Sequence, residues 1–170
     1  MKEASHVYAY YAGNAHLVLK VWQFISESSG RPLWLYLVVS PKASDLLTAL
    51  VRQSPRRESI ILRELEPLAP DLDVGAPHLK GRLAGLMWQA RKEGAERVCL
   101  VIDLQHEIEK HGLGGADLLR WERSCHEAWR GVGVETLCLH EARRAMDDHK
   151  AIRSIAQLHD RVLAEISGQE

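Results

Sequence analysis

The chain has 170 residues, a formal charge of −1 and a composition ordinary for a folded protein, so one compact domain with a substantial core is expected. The balanced charge removes any whole-protein case for direct nucleic-acid binding or for an acidic membrane surface. No apolar run approaches the ~20 residues of a membrane-spanning helix.

His6 to Tyr11, rich in tyrosine and valine, reads as a first strand. A helix follows from about Asn14 to Ser28, with Val18, Val21, Trp22 and Ile25 on one face and Ser29-Gly30 closing it. Leu33 to Val39 is a continuous apolar run, the pattern of a strand buried on both faces. Ser40-Pro41 opens the second helix, whose stripe is Ala43, Leu46, Leu47, Leu50 and Val51. Ser59 to Leu65 is a weaker strand, and Glu66 to Pro77, with three prolines and Gly75, a long loop.

Leu79, Leu83, Leu86, Met87 and Ala90 mark a third helix ending at Gly94, followed by a strand from Arg97 to Ile102. A polar stretch from Asp103 to Gly115 leads to a helix carrying Leu118, Trp121, Cys125, Ala128 and Trp129. Val134 to Leu139 reads as the last strand, and Ile152, Ile155, His159, Val162 and Ile166 share one face of a final helix. Five strands alternating with five helices favour a three-layer α/β architecture, a mostly parallel sheet flanked by helices, over residues 1–170 as a single domain. Cys99, Cys125 and Cys138 are scattered without a Cys-x-x-Cys pair and read as free thiols of a reducing compartment. Met1 to Ser5 lacks the apolar core of a signal peptide, so a cytoplasmic location is expected.

The first strand-to-helix turn, Tyr11-Ala12-Gly13-Asn14-Ala15-His16, lacks the Gly-Lys-Ser or Gly-Lys-Thr of a phosphate loop. Tyr10, Tyr11, Asn14 and His16 stand there instead, where the tyrosines belong to a packed strand or, with Asn14 and His16, suit a small, partly apolar ligand more than a triphosphate. Asp103 ends the fourth strand, where open α/β sheets bind ligands, and it can equally cap the next turn. His106 and His111 are five residues apart, which turns the second about 140° from the first on a helix and excludes the zinc-protease motif. A looser metal site from Asp103, His106 and Glu107 remains as an alternative. Gly112-Leu113-Gly114-Gly115 reads as a flexible helix entry, and Arg52, Arg56, Arg57 and Arg63 as a solvated basic rim. Trp121 reads as core, His159 as a hydrogen-bonded core histidine, and Glu122 as reaching either the surface or the pocket.

Several segments resemble the MEDS domain, a sensory domain of methanogens and methylotrophs related to the RecA/KaiC fold. They are His6-Val7-Tyr8-Ala9-Tyr10-Tyr11, Val21-Trp22-Gln23-Phe24-Ile25, Gly94, Asp117-Leu118-Leu119-Arg120-Trp121-Glu122, and Thr136-Leu137-Cys138-Leu139-His140-Glu141-Ala142-Arg143-Arg144. His159-Asp160 is similar to the family's closing His-Pro, and His140-Glu141 stands where the family usually has Tyr-Asp. Asp103-Leu104-Gln105-His106 replaces a turn that in many members holds methionine and tryptophan.

The resemblance implies a RecA/KaiC-like sheet without a phosphate loop, here as a free-standing sensory or regulatory domain. The expected ligand is a small organic molecule at the carboxyl edge of the sheet, held by Tyr10, Tyr11, Asn14, His16, Asp103, His106, Glu122 and His140. No cofactor, resident metal or catalytic residue is expected. The output is a regulatory protein partner, docking on the final helix or the Arg52/Arg56/Arg57 rim, and homo-oligomers follow by analogy with KaiC-like relatives. The rival readings are a metal- or phosphate-dependent enzyme using Asp103 with His106 or Glu107, and a non-catalytic assembly scaffold.

Overall fold

The computed structural model describes residues 5–27, 31–68, 75–129, 132–143 and 149–163. Its elements in chain order are β1 (His6–Tyr11), α1 (Gly13–Ser26), β2 (Leu33–Val38), α2 (Pro41–Gln53), a 3-10 turn (Arg57–Ser59), β3 (Ile60–Glu64) and α3 (Ala76–Lys92). Then come β4 (Arg97–Asp103), α4 (Leu104–His111), α5 (Gly115–Trp129), β5 (Glu135–Glu141), α6 (His149–Ala156) and β6 (Arg161–Val162). The six strands form one parallel sheet in the order β3-β2-β4-β5-β1-β6. Helices cover both faces, which makes the three-layer, RecA-like α/β architecture expected above.

Alternation along each strand sorts the core into two layers. Val7, Ala9, Leu35, Leu37, Cys99, Val101, Leu137 and Leu139 face α1 and α2. Tyr8, Trp34, Tyr36, Val98, Leu100, Ile102 and Cys138 face α3, α5 and α6. β2 is buried at every position, as a central parallel strand covered on both sides should be. Ser40 accepts a hydrogen bond from the Ala43 amide and Pro41 opens α2, so that boundary is set by local chemistry.

Two segments differ from expectation. The polar stretch after Asp103, for which no element is predicted from sequence, contains α4, capped by the Asp103 side chain at its start and ended by Gly112 in the left-handed conformation (φ 65°). The final helix ends at Ala156, and Arg161–Val162 instead pair with Val7 and Tyr8 as a sixth strand. Val162 is exposed in that strand, not on an apolar helix face. Ile166, the Ser29-Gly30 helix end and residues 69–74 of the Glu66–Pro77 loop lie outside the described residues. The three cysteines are free and buried, and no helix among the described residues is long and apolar enough to cross a membrane.

Candidate functional site

β1 and β5 are neighbours, yet α1 leaves β1 over one face and α6 leaves β5 over the other. The carboxyl ends of this pair therefore flank the crevice where open α/β sheets take ligands. Three strand ends meet there. Tyr11 lies opposite Glu141, and Leu139 of β5 lies opposite Asp103 of β4. The Tyr11 phenol reaches across β5 and donates a 2.8 Å hydrogen bond to Asp103 Oδ1, which also accepts the Gln105 amide at 3.0 Å. Asp103 thus both caps α4 and anchors Tyr11.

Asp103 is only 4 % exposed. Burial lifts its carboxyl to about 6, against the downward pull of the Tyr11 hydroxyl and the Gln105 and His106 amides. Burial and the neighbouring Asp103 carboxylate raise the Tyr11 phenol, so that it stays a donor. Tyr11→Phe should cost about 1–3 kcal/mol at pH 8, where the carboxylate loses its partner, and should move the Asp103 carboxyl further upward. Carbon-detected NMR titration of Asp103 in both proteins checks this, and an unmoved titration point would contradict it.

At the α1 entry one backbone amide is taken by a side chain. The Ala12 amide, which could face an anion at a helix start, donates to His16 Nδ1 at 3.0 Å. Gly13 makes the tight turn with φ 77°. Asn14 and His16 are half-buried at this rim, as is His106 on the first turn of α4. Glu107 points the other way, is fully buried, and its carboxylate accepts the Leu68 amide. Asp103, His106 and Glu107 do not converge as a metal-ligand group among the described residues.

The sheet divides the eight expected ligand-binding residues. Tyr11 and Asp103 point to the α1/α2 face, with Asn14, His16 and His106 near the rim. Tyr10, Glu122 and His140 belong to the α3/α5/α6 side, where Tyr10 meets Tyr8 edge to face at 4.9 Å. Glu122 and His140 there join a second, wholly internal constellation with His6, Cys138 and His159. Glu122 is 0 % exposed, with His140 Nε2 3.6 Å from Oε1, His159 Nε2 3.8 Å from Oε2 and His6 Nε2 4.0 Å from Oε2.

His6 Nε2 is also 3.2 Å from Cys138 Sγ, while His6 Nδ1 meets His126 Nδ1 at 3.2 Å. Burial raises Glu122 to about 8 and drives the imidazoles down, His6 to about 2 and His159 to about 4. Burial also pushes His140 well below, and the Cys138 thiol well above, their usual values. The cluster spans residues 6 to 159 with no recurring spacing. Its sequence signals were slight: a histidine opening an aromatic strand and a histidine on an apolar stripe. Lys20 of α1 is fully buried too and carries no motif at all.

No protein-family model matches this chain, and no curated protein matches it.

Proposed function

We propose that this chain is a cytoplasmic sensory or regulatory domain of MEDS type, which binds a small organic molecule at the carboxyl edge of its sheet without hydrolysing ATP. The observation that carries the reading is the buried Tyr11–Asp103 hydrogen bond at the β1/β5 crevice, beside a helix entry whose amide is taken by His16. A ligand hydroxyl or amine competes with the Tyr11 phenol for Asp103, while Asn14, His16 and His106 line the rim. A ligand shifts a conformation only by preferring one of two states, and the exchange of partners on Asp103 supplies that preference.

The route outward is short. Asp103 caps α4, and Glu107 of α4 holds the Leu68 amide at the start of the Glu66–Pro77 segment. Occupancy therefore bears on that segment, and a protein partner or a second copy of the chain reads the change. Calorimetric titration with ATP, with and without magnesium, tests the non-nucleotide part. No saturable heat is expected at any of several temperatures. Micromolar binding weakened by Asp103→Asn would replace the sensor reading with a nucleotide switch.

A further inference from the structure

The internal constellation is unlike a packed core in one respect: its donors face one another. His6 Nε2, Glu122 carboxylate, Cys138 Sγ and His159 Nε2 come from the start of β1, the middle of α5, β5 and the turn before β6, and all four atoms lie within 4.8 Å of one another. The pairs measured are 3.2 Å for His6–Cys138, 3.8 Å for His159–Glu122, and 4.0 Å for both His6–Glu122 and Cys138–Glu122. A tetrahedral zinc ion with bonds of about 2.0–2.3 Å has donor-to-donor edges of about 3.3–3.6 Å. An inward shift of a few tenths of an ångström closes most of this set.

The protonation pattern points the same way. His159 Nδ1 lies 2.8 Å from the Ile155 carbonyl, which can only accept, so Nδ1 carries the proton and Nε2 presents a bare lone pair to Glu122. A backbone carbonyl fixing the far nitrogen is the usual support of a metal-bound imidazole. His159 Nε2, His140 Nε2 and Glu122 Oε1 are all buried with no hydrogen-bond partner among the described residues. Folds rarely leave three such atoms together, and a cation in this set satisfies His159 Nε2 while Glu122 Oε1 stays facing His140. Two nitrogens, one sulfur and one carboxylate oxygen suit zinc and its transition-metal neighbours and are wrong for magnesium or calcium.

We propose that His6, Glu122, Cys138 and His159 bind one zinc-type ion between the sheet and α5. Four protein donors in a closed, water-poor site make it a structural centre, with His140 beside the second oxygen of Glu122. It fastens β1, β5 and the β6 edge to α5, across chain positions that no local motif links. It is independent of the ligand site on the other face of the sheet.

The test uses the full chain. After zinc loading and exhaustive dialysis, about one equivalent per chain is expected, and chelation should lower Tm by about 5–10 °C. Cobalt(II) added to stripped protein should give tetrahedral d–d bands and a sulfur-to-cobalt charge-transfer band. Cys138→Ser should lose the charge-transfer band and Cys125→Ser keep it, while Glu122→Gln weakens affinity at least about 10-fold. The wild-type cobalt titration decides by itself if a variant fails to fold. Substoichiometric zinc without a cobalt–thiolate band, or a band retained in Cys138→Ser, overturns the proposal.

Discussion

Asp103→Asn is expected to stabilise the fold at neutral pH while removing the group that the proposed ligand site is built on. A carboxyl lifted by burial from 3.8 to about 6 costs the ionised folded state about 3 kcal/mol. The folded state holds that proton more tightly than the unfolded chain, so this contribution is fully present below about pH 4 and lost as pH rises to about 6. Asparagine keeps an oxygen for the Tyr11 phenol and the Gln105 amide but does not titrate. The stability gap between variant and wild type should therefore open in the variant's favour by about 2–2.5 kcal/mol between pH 4 and pH 7. Denaturant unfolding of both proteins at pH 4, 5, 6 and 7 measures it. A gap independent of pH would mean that Asp103 is not held in the raised state. A position where the native residue destabilises its own fold is the signature expected of a retained site, not of packing.

Leu137→Ala should have the largest effect on stability. Leu137 is fully buried in β5, beneath α1, and is flanked by Val7 of β1 and Val101 of β4. Two sheet neighbours and a helix layer leave little room for collapse, so the loss of methyl groups and the cavity together cost about 3–5 kcal/mol. In a domain of this size that lowers Tm by roughly 10 °C or more. Trp88→Ala, by contrast, removes a larger side chain that is 66 % exposed and stacked under Lys92. It should change stability by less than about 0.5 kcal/mol. Thermal melts of the two variants should separate cleanly. Equal losses would contradict the placement of the core between the sheet and α1/α2.

The strands β1 to β5 and the helices between them other than α4 were legible because their apolar residues recur at the periods of strand and helix. The β2 run and the α5 stripe through Leu118, Trp121, Cys125 and Trp129 are the clearest cases. β6 was hidden because Ile152, Ile155, His159 and Val162 happen to keep helical spacing, while a two-residue edge strand carries no pattern of its own. α4 was readable in principle. Asp103 before it, Gly112 after it and Lys110-His111 in its last turn are start and stop signals, but its polar surface outweighed them.

The Tyr11–Asp103 pair was legible in its members and not in its grouping. Tyr11 and Asp103 meet only because β5 lies between β1 and β4, and strand order is decided by packing that a single chain's periodicity does not encode. The same limit applies to Glu122 and His140. Their joining with His6, Cys138 and His159 depends on which face of β1 and β5 meets α5. The alternation of Tyr10 and Tyr11 across a strand was readable, and it already implied that the two tyrosines serve opposite faces.

The central claim is that the crevice at the ends of β1, β4 and β5 takes a small organic molecule. Amide-resolved NMR of the protein during a screen of small alcohols, amines and carboxylic acids tests it most directly. The account predicts that binders move the amides of Tyr11, Ala12, Asp103 and Gln105 together, and that Asp103→Asn abolishes those shifts while the fold persists. Binders that cluster elsewhere, or that leave Asp103→Asn unaffected, would contradict it.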